Sequence, residues 1–303
     1  MKYFMIAPMH DVDSLVAHTV GEIWQPGIEH KVLEYKHEHE PFEDIPEKSD
    51  QYIAMADFGY SGSETVKKMV DKLERIRAAG TQVSFYDQHN WAPEIQVRAF
   101  TKYTYSNDMS SAEIIALDLI RKDPLAMYLA KIASNEDYGR HDDETRKLTD
   151  LVNSHIPKID LIKELAGLQS QRLDLSSSFE DALQDYRTQL KPQAEEKLIS
   201  SVTEHQTRMG NFKIGLAPSL LYMKPGHRHL RDNNLDYNTL CFYEGFDNVL
   251  FRTQNRTQTE ALLGLFDGDS RDTEGGFDPG EPVTEANYIE VRDRVIDKIR
   301  SLR

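Results

Sequence analysis

Cysteine is nearly absent from this chain: Cys241 is the only one in 303 residues. One thiol excludes an internal disulfide framework and a cysteine-built zinc site, and it fits a reducing compartment. Its neighbours, Leu240 and Phe242, mark it as a core or strand residue. Apolar runs are short. None approaches the roughly 18 residues that a membrane span requires, and residues 1–13 turn acidic too soon for a secretory signal, so a soluble cytoplasmic protein is expected. Positive charge is in deficit, with 36 Lys and Arg against 51 Asp and Glu and a formal net charge of −15. That balance repels long polyanions and disfavours extended duplex binding. A small phosphorylated ligand, or a short oligonucleotide held by metals and a local basic cluster, remains compatible with it. Neither a Walker-type phosphate loop nor a dinucleotide-binding glycine fingerprint occurs, which disfavours a nucleotide kinase and a Rossmann dehydrogenase. Internal repeats and low-complexity tracts are missing as well.

What is present is an ordinary globular balance: 39% hydrophobic and 29% charged residues, in a chain long enough for two domains with separate cores. Residues 3–8 read as an apolar strand that runs into the acidic turn His10-Asp11-Val12-Asp13 and then a helix. Residues 31–35 form a plausible second strand. Residues 52–57 and 82–87 are apolar runs of strand length, each stopping at an aspartate, and 63–79 between them has helical periodicity. Strand–helix–strand repeats imply parallel pairing with ligands beyond the carboxyl ends of the strands. Residues 110–121, 125–135 and 142–154 read as helices, the first opening on the capping sequence Ser110-Ser111-Ala112-Glu113. From 176 to about 206 a polar stretch carries apolar residues at helical spacing, with Pro192 expected to kink or break it. Short strands at 212–217, 239–243 and 248–253 and a last helix at 287–302 follow. The expected fold class is α/β: a parallel-sheet domain over 1–175, a helical connector over 176–209, and a smaller mixed α/β domain over 210–303.

Asp11, Asp13, Asp57 and Asp87 are predicted at adjacent strand ends, and Asp137 follows a helix in Asn135-Glu136-Asp137. Carboxylates crowded in this way repel one another unless cations neutralise them. A pair of divalent ions about 3.5–4 Å apart does so and supports phosphoester cleavage. The competing reading is that each aspartate merely caps the turn after its strand.

The order of these motifs resembles the DHH phosphoesterase superfamily of RecJ-type exonucleases, nano-RNases, cyclic-dinucleotide phosphodiesterases and family II pyrophosphatases. Residues 9–14 (Met-His-Asp-Val-Asp-Ser) resemble its first motif, Ala56-Asp57 the second, and Asp87-Gln88-His89 the namesake triplet. Ser110 to Glu113 is similar to the helix start that follows, and Asn135-Glu136-Asp137 to the fourth motif. Phe251-Arg252-Thr253 resembles the substrate-binding arginine strand, and residues 275–280 (Gly-Gly-Phe-Asp-Pro-Gly) the glycine-rich loop of the DHH-associated domain. The resemblance implies a metal-dependent phosphodiesterase, nuclease-like, acting on short oligonucleotides or small nucleotides to give mononucleotides. It assigns Asp11 and Asp57 to one metal and Asp13, Asp57 and Asp137 to the other, with Mn2+ expected and Mg2+ an alternative. Asp87 would stand behind the ligands or replace one, His89 and Arg252 would contact phosphoryl oxygens, and Gly275 and Gly276 would let backbone amides approach the substrate. The second domain would then clamp a terminal nucleotide.

Three positions depart from the family pattern. Met9 stands where a His or Asp ligand belongs, Gln88 replaces the middle His of the triplet, and Phe277 replaces the His beside the glycines. These departures support the alternative, a catalytically inactive scaffold of the same fold that binds a protein or nucleic-acid partner. Among other features, Lys36-His37-Glu38-His39-Glu40 places two imidazoles on one face if it is a strand, although Pro41 marks a solvated loop. The basic stretch 224–231 reads as a solvated helix start or as a phosphate contact. Trp24 and Trp91 read as packing residues.

Overall fold

The computed structural model describes the whole chain except residues 10, 34–44, 59–63, 90–92, 141, 222–223, 247, 267, 272 and 303. Contacts divide it into two compact units, Met1–Leu183 and Gln184–Arg303.

The first unit is built on a sheet of β1 (Lys2–Pro8), β2 (Glu29–Leu33), β3 (Gln51–Ala56), β4 (Gln82–Asp87) and β5 (Lys102–Tyr105). All neighbours are parallel, in the order β2-β1-β3-β4-β5. The three central strands are apolar almost throughout because both of their faces are covered. Met5, Ala7, Ala54, Ala56 and Tyr86 enter one core, and Phe4, Ile6, Ile53, Met55, Val83 and Phe85 the other. The helices are α1 (Val12–Trp24), α2 (Glu64–Ala78), α3 (Pro93–Ala99), α4 (Ser111–Leu119), α5 (Pro124–Asp137), α6 (Asp143–Asn153) and α7 (Lys158–Ala166). Helices α1 and α4 to α7 cover the first core; Met69, Val70, Leu73 and Ile76 of α2 close the second. Helix α1 is buried on nearly every side, which explains its lack of a polar face.

Next come α8 (Ser177–Asp185), a π-helical turn at Tyr186–Leu190 and α9 (Lys191–Ser201). The expected break at Pro192 takes the form of that turn: proline lacks an N–H, and the ladder shifts so that Lys191 N–H donates to Tyr186 O. The helical reading to about 206 ends early, because Thr203–Thr207 forms a strand.

The second unit contains β6 (Thr203–Thr207), β7 (Gly210–Ala217), α10 (Lys224–Asp232), β8 (Asn238–Tyr243), β9 (Val249–Arg252), α11 (Arg256–Leu263), β10 (Gly268–Arg271), β11 (Glu274–Phe277) and α12 (Tyr288–Arg300). Its sheet runs β10-β11-β9-β8-β7-β6, antiparallel except for the β7–β8 pair. One face packs Phe212, Ile214, Leu240, Phe242 and Phe251 against Val291, Val295 and Ile299 of α12. The α/β class and the mixed second sheet are therefore as expected. Among the described residues, no helix is long and apolar enough to cross a membrane.

Candidate functional site

The carboxyl edge of the parallel sheet carries the acids. β1 leads to Asp11, which caps α1 by accepting from Ser14 N–H at 2.9 Å. β3 ends at Ala56, and Asp57 follows with φ at 60°, a left-handed conformation that side chains other than Asn and Asp rarely take. Such strain persists only where the surroundings enforce it, and it collects at functional sites. β4 delivers Asp87 as its last residue, fully buried.

Hydrogen bonds knit these groups together. Ser14 Oγ lies 2.5 Å from Asp11 Oδ1 and 3.0 Å from Asp57 Oδ2, bridging the two acids. Gln88 Nε2 donates to Asp57 Oδ1 at 3.1 Å, while the Ser111 hydroxyl donates to Gln88 Oε1. Gln88 therefore meets Asp57 with its NH2, and its carbonyl oxygen accepts from Ser111. Asp87 accepts from Phe58 N–H at 3.1 Å and His89 N–H at 3.0 Å, and its Oδ1 stands 2.7 Å from His89 Nδ1. That pair turns Nε2 of the part-exposed His89 ring away from the carboxylate. Asp13 accepts from Ser111 N–H and Ala112 N–H, each at 2.9 Å, one per oxygen, so it sits on the N-terminus of α4.

The electrostatics follow from burial. Burial first, then Asp57, Asp137 and Asp11, hold the Asp13 carboxyl well above its ordinary range against the pull of the Ala112 amide. Asp57 is likewise raised by burial, then by Asp11, Asp87 and Asp137, with Ser14 opposing. Asp87 is raised by burial, and its bonds to His89 oppose the shift. Asp137, the last residue of α5, thus acts on both Asp13 and Asp57. No cationic side chain among the described residues pairs with Asp13 or Asp57.

The donor set suits a hard divalent ion. Asp57, Asp87 and His89 place one ligand atom each within 4.8 Å of one another. Every carboxylate oxygen has two lone pairs, so the single amide bond on each Asp13 oxygen orients that group and leaves acceptor capacity.

Arg252, Gly275 and Gly276 belong to the second unit. Residues 275–276 lie in strand β11, between β10 and β9, and not in a loop. Their peptide groups are in the sheet plane, and the two residues point to opposite faces: Gly276 pairs with Leu250, Gly275 with Phe251. Phe277 is buried in the apolar core. Met9 is also buried among apolar neighbours of the first unit. Trp24 packs edge-on against Tyr3. His10, the 36–40 stretch and Trp91 lie outside the described residues. Ser14, Ser111 and the Phe58 amide were not singled out from the sequence, although the capping pattern at Ser110 located the helix that carries Ser111.

No protein-family model matches the sequence, and no curated protein matches it. Similar solved structures exist. A pGpG-specific phosphodiesterase from Vibrio cholerae aligns over 98% of this chain and 98% of its own, at 13% identity and a TM-score of 0.53. An exopolyphosphatase-related protein from Bacteroides fragilis aligns over 99% and 92%, at 10% identity and a TM-score of 0.51. RecJ from Thermus thermophilus, in complex with Mn2+, aligns over all of this chain and 52% of its own, at 11% identity and a TM-score of 0.50. The chain thus spans about half the length of that RecJ, and at these identities the likeness is one of fold.

Proposed function

We propose that this chain, whose fold is that of the DHH-type phosphoesterases, is a metal-dependent phosphodiesterase that hydrolyses short oligonucleotides or small nucleotides to mononucleotides. The observation that carries this reading is Asp57: an acid with φ at 60°, raised by burial and then by its acidic neighbours, and paired with no cationic side chain among the described residues. The names of its fold neighbours, a pGpG phosphodiesterase and a RecJ with Mn2+ or Mg2+, support the substrate class and the metal.

In this reading Asp57 is the shared ligand, with Asp11 on one side and Asp13 and Asp137 on the other, and Asp87 positions His89. Divalent ions bound there would neutralise phosphoryl charge and activate a water for in-line attack. Ser14 and Gln88 fix both oxygens of Asp57, and the α4 amides fix those of Asp13, so the ligands are set before substrate arrives. The Asp87–His89 bond presents Nε2 to a non-bridging phosphoryl oxygen, where a donor stabilises charge that builds as the P–O bond breaks. Water supplies the new oxygen on phosphorus, and the leaving oxygen departs with a proton.

One observation favours the scaffold reading: Gln88 turns a donor toward Asp57, partly doing the neutralising work of a cation. Incubating the chain with Mn2+ and di- to pentanucleotides separates the two. Turnover that chelation stops and Asp57→Asn abolishes supports the enzyme. A folded chain that neither binds Mn2+ nor releases mononucleotides leaves the scaffold.

A further inference from the structure

Helix α4 opens on the sequence of a capping box, Ser110-Ser111-Ala112-Glu113, in which the glutamate side chain ordinarily reaches back to the N–H of the cap residue. One half of the box closes in the ordinary way, Glu113 N–H donating to Ser110 Oγ at 3.3 Å. The other half admits a residue from a different helix. Ser110 N–H donates to Ser134 Oγ of α5 at 3.4 Å, and the Ser134 hydroxyl donates to the Glu113 carboxylate. A hydroxyl gives one proton and accepts another, so a single serine can stand in both bonds at once. Ser110 and Ser134 are both buried, which shields the exchange from water.

Both helices carry parts of the acidic site next to this junction. On α4, the amides of Ser111 and Ala112, adjacent to Ser110, hold the Asp13 oxygens at 2.9 Å each. On α5, Asp137 follows Ser134 by three residues, a spacing that puts the two on one face of the helix. Asp137 acts electrostatically on Asp13. Elsewhere the two helices give small apolar residues to one shared core, Ala112 and Ala116 from α4 and Ala130 and Ala133 from α5. Apolar burial is not directional, so it holds helices together without fixing how far one slides along the other. Hydrogen bonds have preferred angles and lengths, and they set that register. A second tie, from Tyr138 OH to Asn107 O at 3.0 Å, is exposed.

We infer that Ser134 and Glu113 are positioning residues, an expanded capping box that sets the separation of Asp13 and Asp137 for the divalent ion those two acids would share. The inference rests on the function proposed above, and it concerns side chains that hold no metal themselves. Without the Ser134 hydroxyl, α5 is free to shift along α4 and carries Asp137 with it, while Asp13 stays on its amides. Asp11 is anchored separately, by Ser14 of its own helix, so the effect falls on one ion and spares the other. Glu113 serves as an acceptor. A glutamine there keeps a carbonyl oxygen for Ser134 and loses only the charge.

Calorimetric titration of the metal-stripped full chain with Mn2+, alongside melting temperatures in EDTA, tests this. The wild type should bind about two ions. Ser134→Ala and Glu113→Leu should weaken one of them about tenfold to a hundredfold and leave the other within about twofold, whereas Glu113→Gln should bind like the wild type. Alanine is a better helix former than serine, so Ser134→Ala keeps α5 helical. Equal weakening by Glu113→Gln and Glu113→Leu would make the effect one of charge and overturn the inference, as would equal weakening of both ions. A Ser134→Ala protein with wild-type Mn2+ affinities, whatever its melting temperature, overturns it too, because the bond then serves folding alone. Those three results leave the proposed function standing. A wild type that takes up no Mn2+ rejects that function, and the inference falls with it.

Discussion

Replacing Asp57 by Asn should stabilise the metal-free chain while removing its response to metal. Asn is among the few residues that accept φ at 60°, so the backbone at this position is kept. The hydrogen bonds are kept too: Asn Oδ1 accepts from Gln88 Nε2, and Asn Nδ2 donates to Ser14 Oγ, whose proton goes to Asp11 Oδ1. What is lost is a charge. With ligand atoms of Asp57 and Asp87 within 4.8 Å, two carboxylates repel by about 3.5 kcal/mol at an effective dielectric of about 20. Both Asp13 and Asp57 titrate above the ordinary range when folded. A raised acid contributes stability that is present below its unfolded pKa, near 4, and lost as pH rises through the folded value. In EDTA the wild type should therefore weaken as pH rises above about 4, and Asp57→Asn should flatten that decline and gain about 1–3 kcal/mol in alkaline solution. Urea unfolding at several pH values measures both. Mn2+ at a hundredfold its dissociation constant should add about 2.7 kcal/mol to the wild type and nothing to the variant. Parallel pH curves, with the variant less stable in alkaline solution, would refute the reasoning.

Three further outcomes are expected. Asp87→Asn weakens the bond that orients His89, and His89→Ala removes the ring, so each should lower kcat on a dinucleotide by about 10²–10⁴ with a smaller change in KM; equal loss in KM alone would move His89 out of the reaction. Burial, then His30, presses His18 down to about 3 from 6.5, so its contribution to stability is present above pH 6.5 and lost as pH falls towards the folded value. His18→Gln should therefore soften acid unfolding between those limits, seen as a smaller pH slope than the wild type. Gly226→Ala brings a methyl within 2.7 Å of Leu221 O and 2.9 Å of Ala217 Cβ, and should cost about 1–3 kcal/mol of second-unit stability. An unchanged melting temperature would show that α10 does not pack there.

The central strands were legible because β1, β3 and β4 are buried on both faces and so read as unbroken apolar runs ending in acids. Helix α4 was legible from its cap, which Ser110 forms with Glu113 N–H. Strand β5, Lys-Tyr-Thr-Tyr at a half-exposed edge, carries no such signature. The conformation of Asp57 leaves no trace in composition. Asp13 is met by amides 98 and 99 residues away, a long-range match that local spacing does not encode. In the sequence Gln88 shows only as a replacement for the middle His of the triplet; the position of Ser111 reveals which end of its amide faces Asp57. The resemblance places Gly275 and Gly276 in a glycine-rich loop, whereas cross-strand pairing with β9 and β10 holds them in a strand against glycine's weak strand preference. His227 was visible only as part of a basic stretch, whereas its burial sets it apart from its neighbours.

Equilibrium dialysis against Mn2+ bears most directly on the claim that the buried acids are a cation site. The account predicts saturable uptake by the wild type, approaching about two ions per chain, and loss of that uptake in a folded Asp57→Asn protein. Wild-type protein that takes up no Mn2+, or an Asp57→Asn protein that takes up as much, would contradict it.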